Sequence, residues 1–250
     1  MKEIEIFRIR VHPLFRSEFL QIIELNLKNG NRLIQNGVNA ASINELAKNE
    51  ELVHAFNNSN LINIDGISIV WALRFLGFYV PERVACPDLA NDILALAEKK
   101  NYSILNIGVQ DKVLTLCIQK LKIDFPELRI AGSRNGYFQE EEEGIILDMI
   151  NNVSPDILFL GMPSPRKELF VEKYKSLLNA KYIFGVGGYF DILSGLTKRA
   201  PRWLQNIGME WFYRFLQEPK RMWRRYLIGN FKFIWLVHKE KIKQRKIKAV

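Results

Sequence analysis

The chain has 250 residues and a formal net charge of +9, and 48% of its residues are hydrophobic and 25% charged. This composition is that of a globular protein with a full core, and it excludes wholesale disorder. No apolar run approaches the ~18 residues of a transmembrane helix, and the first ten residues alternate charge with isoleucine, so we expect neither a membrane span nor a signal peptide. The two cysteines stand in no metal-binding or redox spacing and are expected to be reduced thiols.

Short apolar runs alternate with amphipathic segments up to residue 191. The apolar runs predict strands at 4–9, 32–35, 61–64, 103–107, 129–131, 157–160 and 182–186. The amphipathic segments predict helices at 17–28, 67–76, 88–99, 111–122, 140–151 and 165–178. Such alternation is typical of a parallel sheet. We therefore predict an α/β fold, with a Rossmann-like, mostly parallel sheet and helices on both of its faces.

The last fifty or so residues differ in charge from the rest. Residues 198–250 carry fifteen Lys or Arg and three Glu, whereas the remainder of the chain has a small negative net charge. Four of the five tryptophans also lie there. Basic side chains interleaved with aromatic ones suit either an anionic membrane surface or a nucleic acid.

This C-terminal part is predicted to be helical. Pro201 and Pro219 favour helix starts, and the apolar spacing predicts helices at 202–217, 219–228 and 231–247. We divide the chain into an α/β catalytic domain, residues 1–195, and a helical appendage, residues 196–250.

Asp65 is the first candidate for chemistry. It follows the third predicted strand and precedes a glycine, and parallel sheets bind ligands beyond the carboxyl ends of their strands. A carboxylate in this place is suited to act as a general base. Capping of the following helix is the other interpretation, and position alone does not decide between the two.

Two glycine-containing loops are weaker candidates. In residues 161–168, GMPSPRKE, free backbone N–H groups beside Arg166 and Lys167 suit a diphosphate, but a plain turn with Ser164 as the helix N-cap is the simpler interpretation. The loop 185–188, GVGG, is equally ambiguous. The sequence has no Asp-x-Asp pair, no clustered histidines and no Gly-x-Ser-x-Gly elbow, so we expect neither a metal ion nor α/β-hydrolase chemistry.

Seven segments occur in an order that a known family shares. They are 58–77 (NSNLINIDGISIVWALRFLG), 83–89 (RVACPDL), 105–109 (LNIGV), 135–138 (NGYF), 154–168 (SPDILFLGMPSPRKE), 185–203 (GVGGYFDILSGLTKRAPRW) and 208–230 (GMEWFYRFLQEPKRMWRRYLIGN). The last two are the most specific. Together the segments resemble the WecG/TagA/CpsF family of bacterial glycosyltransferases, glycosyltransferase family 26.

The resemblance implies an enzyme of cell-surface polysaccharide synthesis. The implied reaction is an inverting, metal-independent and cofactor-free transfer of a sugar from a UDP-sugar to an acceptor on polyprenyl diphosphate. The sugar would be of the N-acetylmannosamine type, a related uronic acid or glucose. The implied base, which deprotonates the acceptor hydroxyl, is Asp65. The residues expected to bind substrate are Asn39, Gly66, Arg83, Gly108, Gly136, Tyr137, Gly161, Lys167, Gly187, Asp191, Arg214, Arg221 and Arg224.

The chain departs from the family pattern at two positions. It has Gly37-Val38-Asn39 where the family usually has Thr-x-Asn, and Lys167 where the family usually has Gln. The added charge of Lys167 suits a uronic-acid sugar or a further phosphate contact. Both departures bear on substrate identity rather than on the reaction class.

A lipid-linked acceptor makes the membrane the better partner for the basic appendage. We expect a cytoplasmic, peripheral protein on the inner face of the bacterial cytoplasmic membrane, with Arg214, Arg221 and Arg224 folded back over the crevice onto a diphosphate. The alternative function is nucleic-acid binding through the appendage, although no recognition motif is present. A third interpretation is that the aromatic stripe of the first predicted appendage helix packs on the body as core. The stripe consists of Trp203, Leu204, Ile207, Trp211, Phe212 and Phe215. Association into a homo-oligomer is left open.

Overall fold

The computed structural model describes residues 2–248, with side chains described for residues 2–245. Within that part of the chain the strands are β1 (Ile4–Ile6), β2 (Ile9–Val11), β3 (Leu33–Val38), β4 (Leu61–Ile64), β5 (Ser103–Gly108), β6 (Arg129–Arg134), β7 (Ile157–Gly161) and β8 (Tyr182–Gly185). The helices that precede the appendage are α1 (Arg16–Asn29), α2 (Ala40–Leu46), α3 (Glu50–Asn57), α4 (Ile67–Phe75), α5 (Cys86–Lys100), α6 (Asp111–Asp124), α7 (Glu143–Val153), α8 (Arg166–Tyr174) and α9 (Tyr189–Leu193).

Strands β3 to β8 form one parallel sheet in the order β4-β3-β8-β7-β5-β6. Every residue of β4, β5 and β8 is buried, as expected for strands covered on both faces. Helices α1, α5, α6 and α9 cover one face, and α7 and α8 cover part of the other. The predicted α/β fold is therefore confirmed, and the carboxyl ends of all six strands lie along one edge.

The N-terminal strand prediction is wrong in detail. Residues 4–9 were expected to form one strand, but the chain turns back at Phe7 and Arg8, where φ is +50° and +72°. Strands β1 and β2 pair antiparallel as a small hairpin. The hairpin packs beside β4 with α2, α3 and α4, in an apolar cluster at that side of the sheet.

The appendage contains more breaks at its start and fewer at its end than predicted. Its helices are α10 (Arg202–Asn206), α11 (Glu210–Gln217), α12 (Pro219–Trp223) and α13 (Gly229–Lys248). Gly208, at φ +76°, separates α10 from α11 where one helix was expected. A π-helical turn at Arg224–Ile228 joins α12 to α13, and Gly229 has helical dihedrals, so the expected break there is absent.

Helix α13 presents two different faces. Phe233 and Val237, one helical turn apart, are buried in the cluster around α2, α3 and α4, and the ring of Phe233 lies 6.1 Å from that of Phe7. Phe231 and Trp235 point away and are 76% and 60% exposed. Helix α13 is thus core on one face and surface on the other, whereas α10 and α11, which carry the predicted aromatic stripe, contain no buried residue. Within residues 2–248 no helix is both long and apolar enough to span a membrane. The division of the chain at residue 195 stays a prediction.

The two phenylalanines of α13 provide a matched test of its docking. Phe233→Ala should lower the free energy of unfolding by about 3 to 5 kcal/mol, because it empties a core position. Phe231→Ala should change it by less than about 0.5 kcal/mol, since that ring is exposed. Urea denaturation followed by circular dichroism measures both values. Equal effects of the two substitutions would show that α13 is not packed on the body.

Candidate active site at the carboxyl edge of the sheet

Asp65 lies directly beyond the carboxyl end of β4. Its backbone N–H and that of Gly66 both donate to the carbonyl of Val38, at 3.0 and 3.1 Å, which ties the residue to the end of β3. The N-cap of α4 is Gly66, and no side chain caps that helix. The interpretation of Asp65 as a helix cap is therefore wrong, and its carboxylate is left to other contacts.

The two carboxylate oxygens of Asp65 have different partners. Oδ1 accepts a hydrogen bond from the backbone N–H of Cys86 at 2.8 Å. Oδ2 accepts a longer one, at 3.4 Å, from Nδ2 of Asn39. The side-chain oxygen of Asn39 in turn accepts from the N–H groups of Ala41 and Ser42 and caps α2. One oxygen of Asp65 is thus firmly held and the other is weakly engaged, in a residue that is partly exposed.

The segment after α4 wraps around the end of β4. Arg83 donates from Nε to the carbonyl of Asp65 at 2.6 Å, and the N–H of Val84 donates to Ile64 at 3.0 Å. Together with the bond from Cys86, these contacts hold Asp65 at its backbone and its side chain. Arg83, predicted to bind substrate, is thereby placed beside the expected base.

Cys86 explains the glycine at position 37. A Cβ atom built on Gly37 would lie 2.4 Å from Sγ of Cys86 and 3.3 Å from Cβ of Asp65. The space that a threonine would occupy in the usual family pattern is filled by the thiol. Burial raises the pKa of Cys86 well above its ordinary value, and the charge of Asp65 adds to that effect. The thiol is therefore neutral, and it fills the space beside Gly37 and Asp65.

Lys167 and Glu168 form a buried ion pair near this cluster. They are 6% and 2% exposed, and Nζ of Lys167 bonds to Oε1 of Glu168. The stem of Lys167 lies against Gly185, where an added Cβ would be 2.7 Å from Cε. The positive charge of Lys167 acts to lower the pKa of the Cys86 thiol, although burial leaves that pKa raised. Lys167 is thus held inside the fold, between its partner Glu168 and the backbone of Gly185.

The glycines at the ends of β5, β6 and β7 serve close packing. An added Cβ on Gly161 would lie 2.2 Å from the ring of Phe190, and one on Gly136 would lie 2.7 Å from Cα of Gly108. Their predicted role in substrate binding stays a prediction. Ser164 is not a helix N-cap, because Pro165 holds that position in α8. Tyr137 is 65% exposed beside these loops.

Two of the three predicted arginines fold back onto the body. Asp191, on α9, lies 3.3 Å from Nη2 of Arg221 and 3.8 Å from Nη2 of Arg214. A Cβ built on Gly188 would lie 3.0 Å from Arg214, so the guanidinium covers the loop that contains Gly187. Arg224 is exposed instead and lies over the ring of Trp223. The structure thus places Arg214 and Arg221, but not Arg224, at the carboxyl edge of the sheet.

A largely buried network of charged side chains joins the appendage to the body, and the sequence did not predict it. Glu210, at the start of α11, lies 2.7 Å from Nη1 of Arg83 and 3.3 Å from Nε of Arg199. Arg199 also donates to both carboxylate oxygens of Asp88, in the first turn of α5. Burial lowers the pKa of Arg199, but Asp88 and Glu210 outweigh burial and leave that pKa raised. The only sequence signal was that all four residues lie within the family-like segments.

A cavity of about 740 Å³ lies away from this site. Its lining comes from α3, α8 and the turn that precedes α7, and includes Glu51, His54, Arg166 and Lys173. Asp65 and the residues that the resemblance implies for substrate binding do not line it, whereas Arg166, from the weaker diphosphate candidate, does. We place the candidate site at Asp65, because the predicted polar residues and the buried charges converge there.

The fit between Gly37 and Cys86 can be tested with a double-mutant cycle. Gly37→Ala should lower the free energy of unfolding by about 1 to 3 kcal/mol, because the methyl group overlaps the thiol. Cys86→Gly removes the thiol, so in its background Gly37→Ala should cost much less. Chemical denaturation of the four proteins measures the coupling. Additive effects would contradict direct steric contact between the two positions.

Comparison with known proteins places the chain in a family. A model of the Glycosyl transferase WecG/TagA/CpsF family matches residues 4–247. The N-acetylglucosaminyldiphosphoundecaprenol N-acetyl-beta-D-mannosaminyltransferase of Bacillus subtilis (strain 168) is 32% identical over 180 residues, which cover 72% of this chain and 69% of that protein. The protein of the same name from Bacillus spizizenii (strain ATCC 23059 / NRRL B-14472 / W23) is 33% identical over 183 residues, 73% of this chain and 70% of its own length. The resemblance seen in the sequence is confirmed, and the chain belongs to the WecG/TagA/CpsF family of glycosyltransferases.

Proposed function

We propose that the protein transfers an N-acetylmannosamine-type sugar from a UDP-sugar to a sugar carried on polyprenyl diphosphate, with inversion and without a metal ion. The names of the two Bacillus relatives support the transferred sugar and the lipid-linked acceptor. A related uronic acid or glucose is the alternative donor sugar, and the buried cation Lys167 is the feature that would suit a uronic acid. The reaction belongs to cell-surface polysaccharide synthesis.

The geometry of Asp65 is the observation that carries the proposal. A general base must be held in place and still have an oxygen free to take a proton. Oδ1 is fixed by the N–H of Cys86, while Oδ2 has only the 3.4 Å contact with Asn39. We assign Oδ2 as the atom that receives the proton of the acceptor hydroxyl.

The proposed step is an in-line displacement at the anomeric carbon. As the acceptor oxygen forms its bond to that carbon, its proton passes to Asp65. The bond from the anomeric carbon to the phosphate oxygen breaks, and UDP leaves with the electron pair. One attack from the face opposite UDP inverts the anomeric centre.

The negative charge that develops on UDP needs positive partners. Arg214 and Arg221 lie over the β8–α9 loop at the same edge of the sheet as Asp65. Asp191 holds both guanidinium groups at that loop. We propose that these arginines, with backbone N–H groups of the strand-end loops, receive the diphosphate of the donor or of the lipid carrier.

The appendage is the proposed membrane-binding surface. Its exposed large apolar side chains include Phe212, Leu216, Trp223, Leu227, Ile228, Phe231, Ile234 and Trp235. Exposed basic side chains lie among them: Arg224 is over Trp223, and Lys239 is over Trp235. Near an anionic leaflet each basic residue contributes about 1 kcal/mol, and the rings add apolar burial. We therefore propose a peripheral enzyme on the inner face of the cytoplasmic membrane, where its acceptor lies.

Substitution of Asp65 tests the reaction. Asp65→Asn should lower UDP release from a UDP-sugar in the presence of a synthetic lipid-diphosphate acceptor by about 10² to 10⁴-fold, since the amide cannot take the proton. UDP-sugar binding, measured by calorimetry, should change little. The assay uses a panel of neutral and uronic-acid UDP-sugars. Asp148→Asn, an exposed position on α7, is the control and should retain full activity. Wild-type turnover by Asp65→Asn would refute the assignment of the base.

Vesicle binding tests the surface of the appendage. The double variant Phe231→Ala, Trp235→Ala should bind anionic vesicles at least about tenfold more weakly, because two exposed rings no longer enter the interface. Ile123→Ala changes an exposed apolar side chain of the body, 74% exposed on α6, and should bind like the wild type. Flotation on vesicles with and without anionic lipid measures both. Unchanged vesicle binding by the double variant would contradict the proposal, and steeply salt-dependent binding to duplex DNA in place of vesicle binding would favour the nucleic-acid alternative.

A further inference from the structure

We propose that Glu210 of the appendage is a positioning residue for Asp65, and that docking of α11 therefore sets the geometry of the proposed base. This role rests on the proposed function, because it concerns the residue assigned there as the base. Glu210 does not touch Asp65. It acts through Arg83, whose guanidinium contacts both residues.

Hydrogen bonds from residues 83–86 hold Asp65 and the end of β4. Arg83, Val84 and Cys86 each donate a hydrogen bond to β4 or to Asp65, at 2.6, 3.0 and 2.8 Å. One of these bonds reaches the carboxylate itself. A shift of residues 83–86 would therefore move the carboxylate as well as the backbone. The position of this segment decides the position of the base.

Residues 83–86 are joined to the appendage by the ion pair between Arg83 and Glu210. Oε2 of Glu210 lies 2.7 Å from Nη1 of Arg83 in an ion pair that lacks hydrogen-bond geometry, and Oε1 accepts a hydrogen bond from Nε of Arg199 at 3.3 Å. The side chains of all three residues are about four-fifths buried, with exposures of 19–20%. Asp88 completes the network as the second partner of Arg199, so two arginines face two carboxylates. Removal of the Glu210 charge would leave Arg199 paired with Asp88 but would leave the largely buried Arg83 without this counter-ion, which is unfavourable.

Helix α11 contacts the body at two places. The same helix carries Glu210 at its first position and Arg214 one turn later. Glu210 points to the segment around Asp65, whereas Arg214 lies on Asp191 and the β8–α9 loop. One docked helix thus contacts both sides of the proposed crevice. Seating of the appendage would complete the site, and loss of that seating would release Arg83 and Asp65 together.

Kinetics of Glu210→Gln tests this role, since glutamine keeps the shape and removes the charge. We expect kcat for acceptor-dependent UDP release to fall at least about tenfold, with KM for the UDP-sugar changed by less than about threefold, because Asp65 acts on the acceptor. The matched control is Glu143→Gln, which removes another largely buried carboxylate that pairs with a basic residue, Lys173 at 2.8 Å, on α8. The control should lose stability and retain kcat.

A double-mutant comparison separates the route through Arg83 from a general loss of structure. If Glu210 acts through Arg83, Glu210→Gln should reduce kcat little further in an Arg83→Lys background. Independent, multiplicative losses of kcat would overturn the route. Wild-type kcat in Glu210→Gln would overturn the proposal as a whole.

Hydrogen exchange provides a measurement that needs no activity. In Glu210→Gln the amides of Val84 and Cys86, which donate to Ile64 and Asp65, should exchange at least about tenfold faster, while those of the central strands β7 and β8 keep their protection. Unchanged exchange at residues 83–86 would overturn the proposal. If Asp65→Asn proves fully active, the proposed function fails, and exchange still decides whether Glu210 holds this segment.

Discussion

The hydrogen bond from the backbone of Cys86 to Asp65 is the interaction on which the site depends. It joins the start of α5 to the end of β4, and so connects two parts of the chain that meet only in the folded protein. Because the bond engages Oδ1, Oδ2 keeps only the longer contact with Asn39. The parallel sheet makes this possible, since it brings every strand end, and the loops that follow, to one edge.

The basic residues of the appendage fall into two groups, one paired with the body and the other exposed. Arg199, Arg214 and Arg221 pair with acidic residues of the body and hold the appendage in place. Their charges are therefore partly neutralised inside the protein. The exposed basic residues, among them Arg224 and Lys239 beside exposed tryptophans, are the ones available to an anionic surface. The formal charge of the segment overstates what a membrane would meet.

The two departures from the family pattern have different physical characters. The difference at Gly37 is steric, because the thiol of Cys86 occupies the volume that a larger side chain would need. Lys167 is an electrostatic difference, because it introduces a buried cation, which pairs with Glu168. Neither departure changes Asp65 itself.

The sequence by itself determined most of the strand and helix alternation, the place of Asp65 after a buried strand and the basic, aromatic character of the appendage. These features are local, since periodicity, turn residues and charge runs are read within a few neighbouring positions. The sequence did not predict helices α2, α3 and α9. Only the tertiary structure decided that residues 4–11 form a hairpin, that Cys86 fills the space at Gly37 and that Glu210 joins Arg83 to Arg199. Such contacts join residues far apart in the chain, and no local pattern specifies which distant side chain will be the partner.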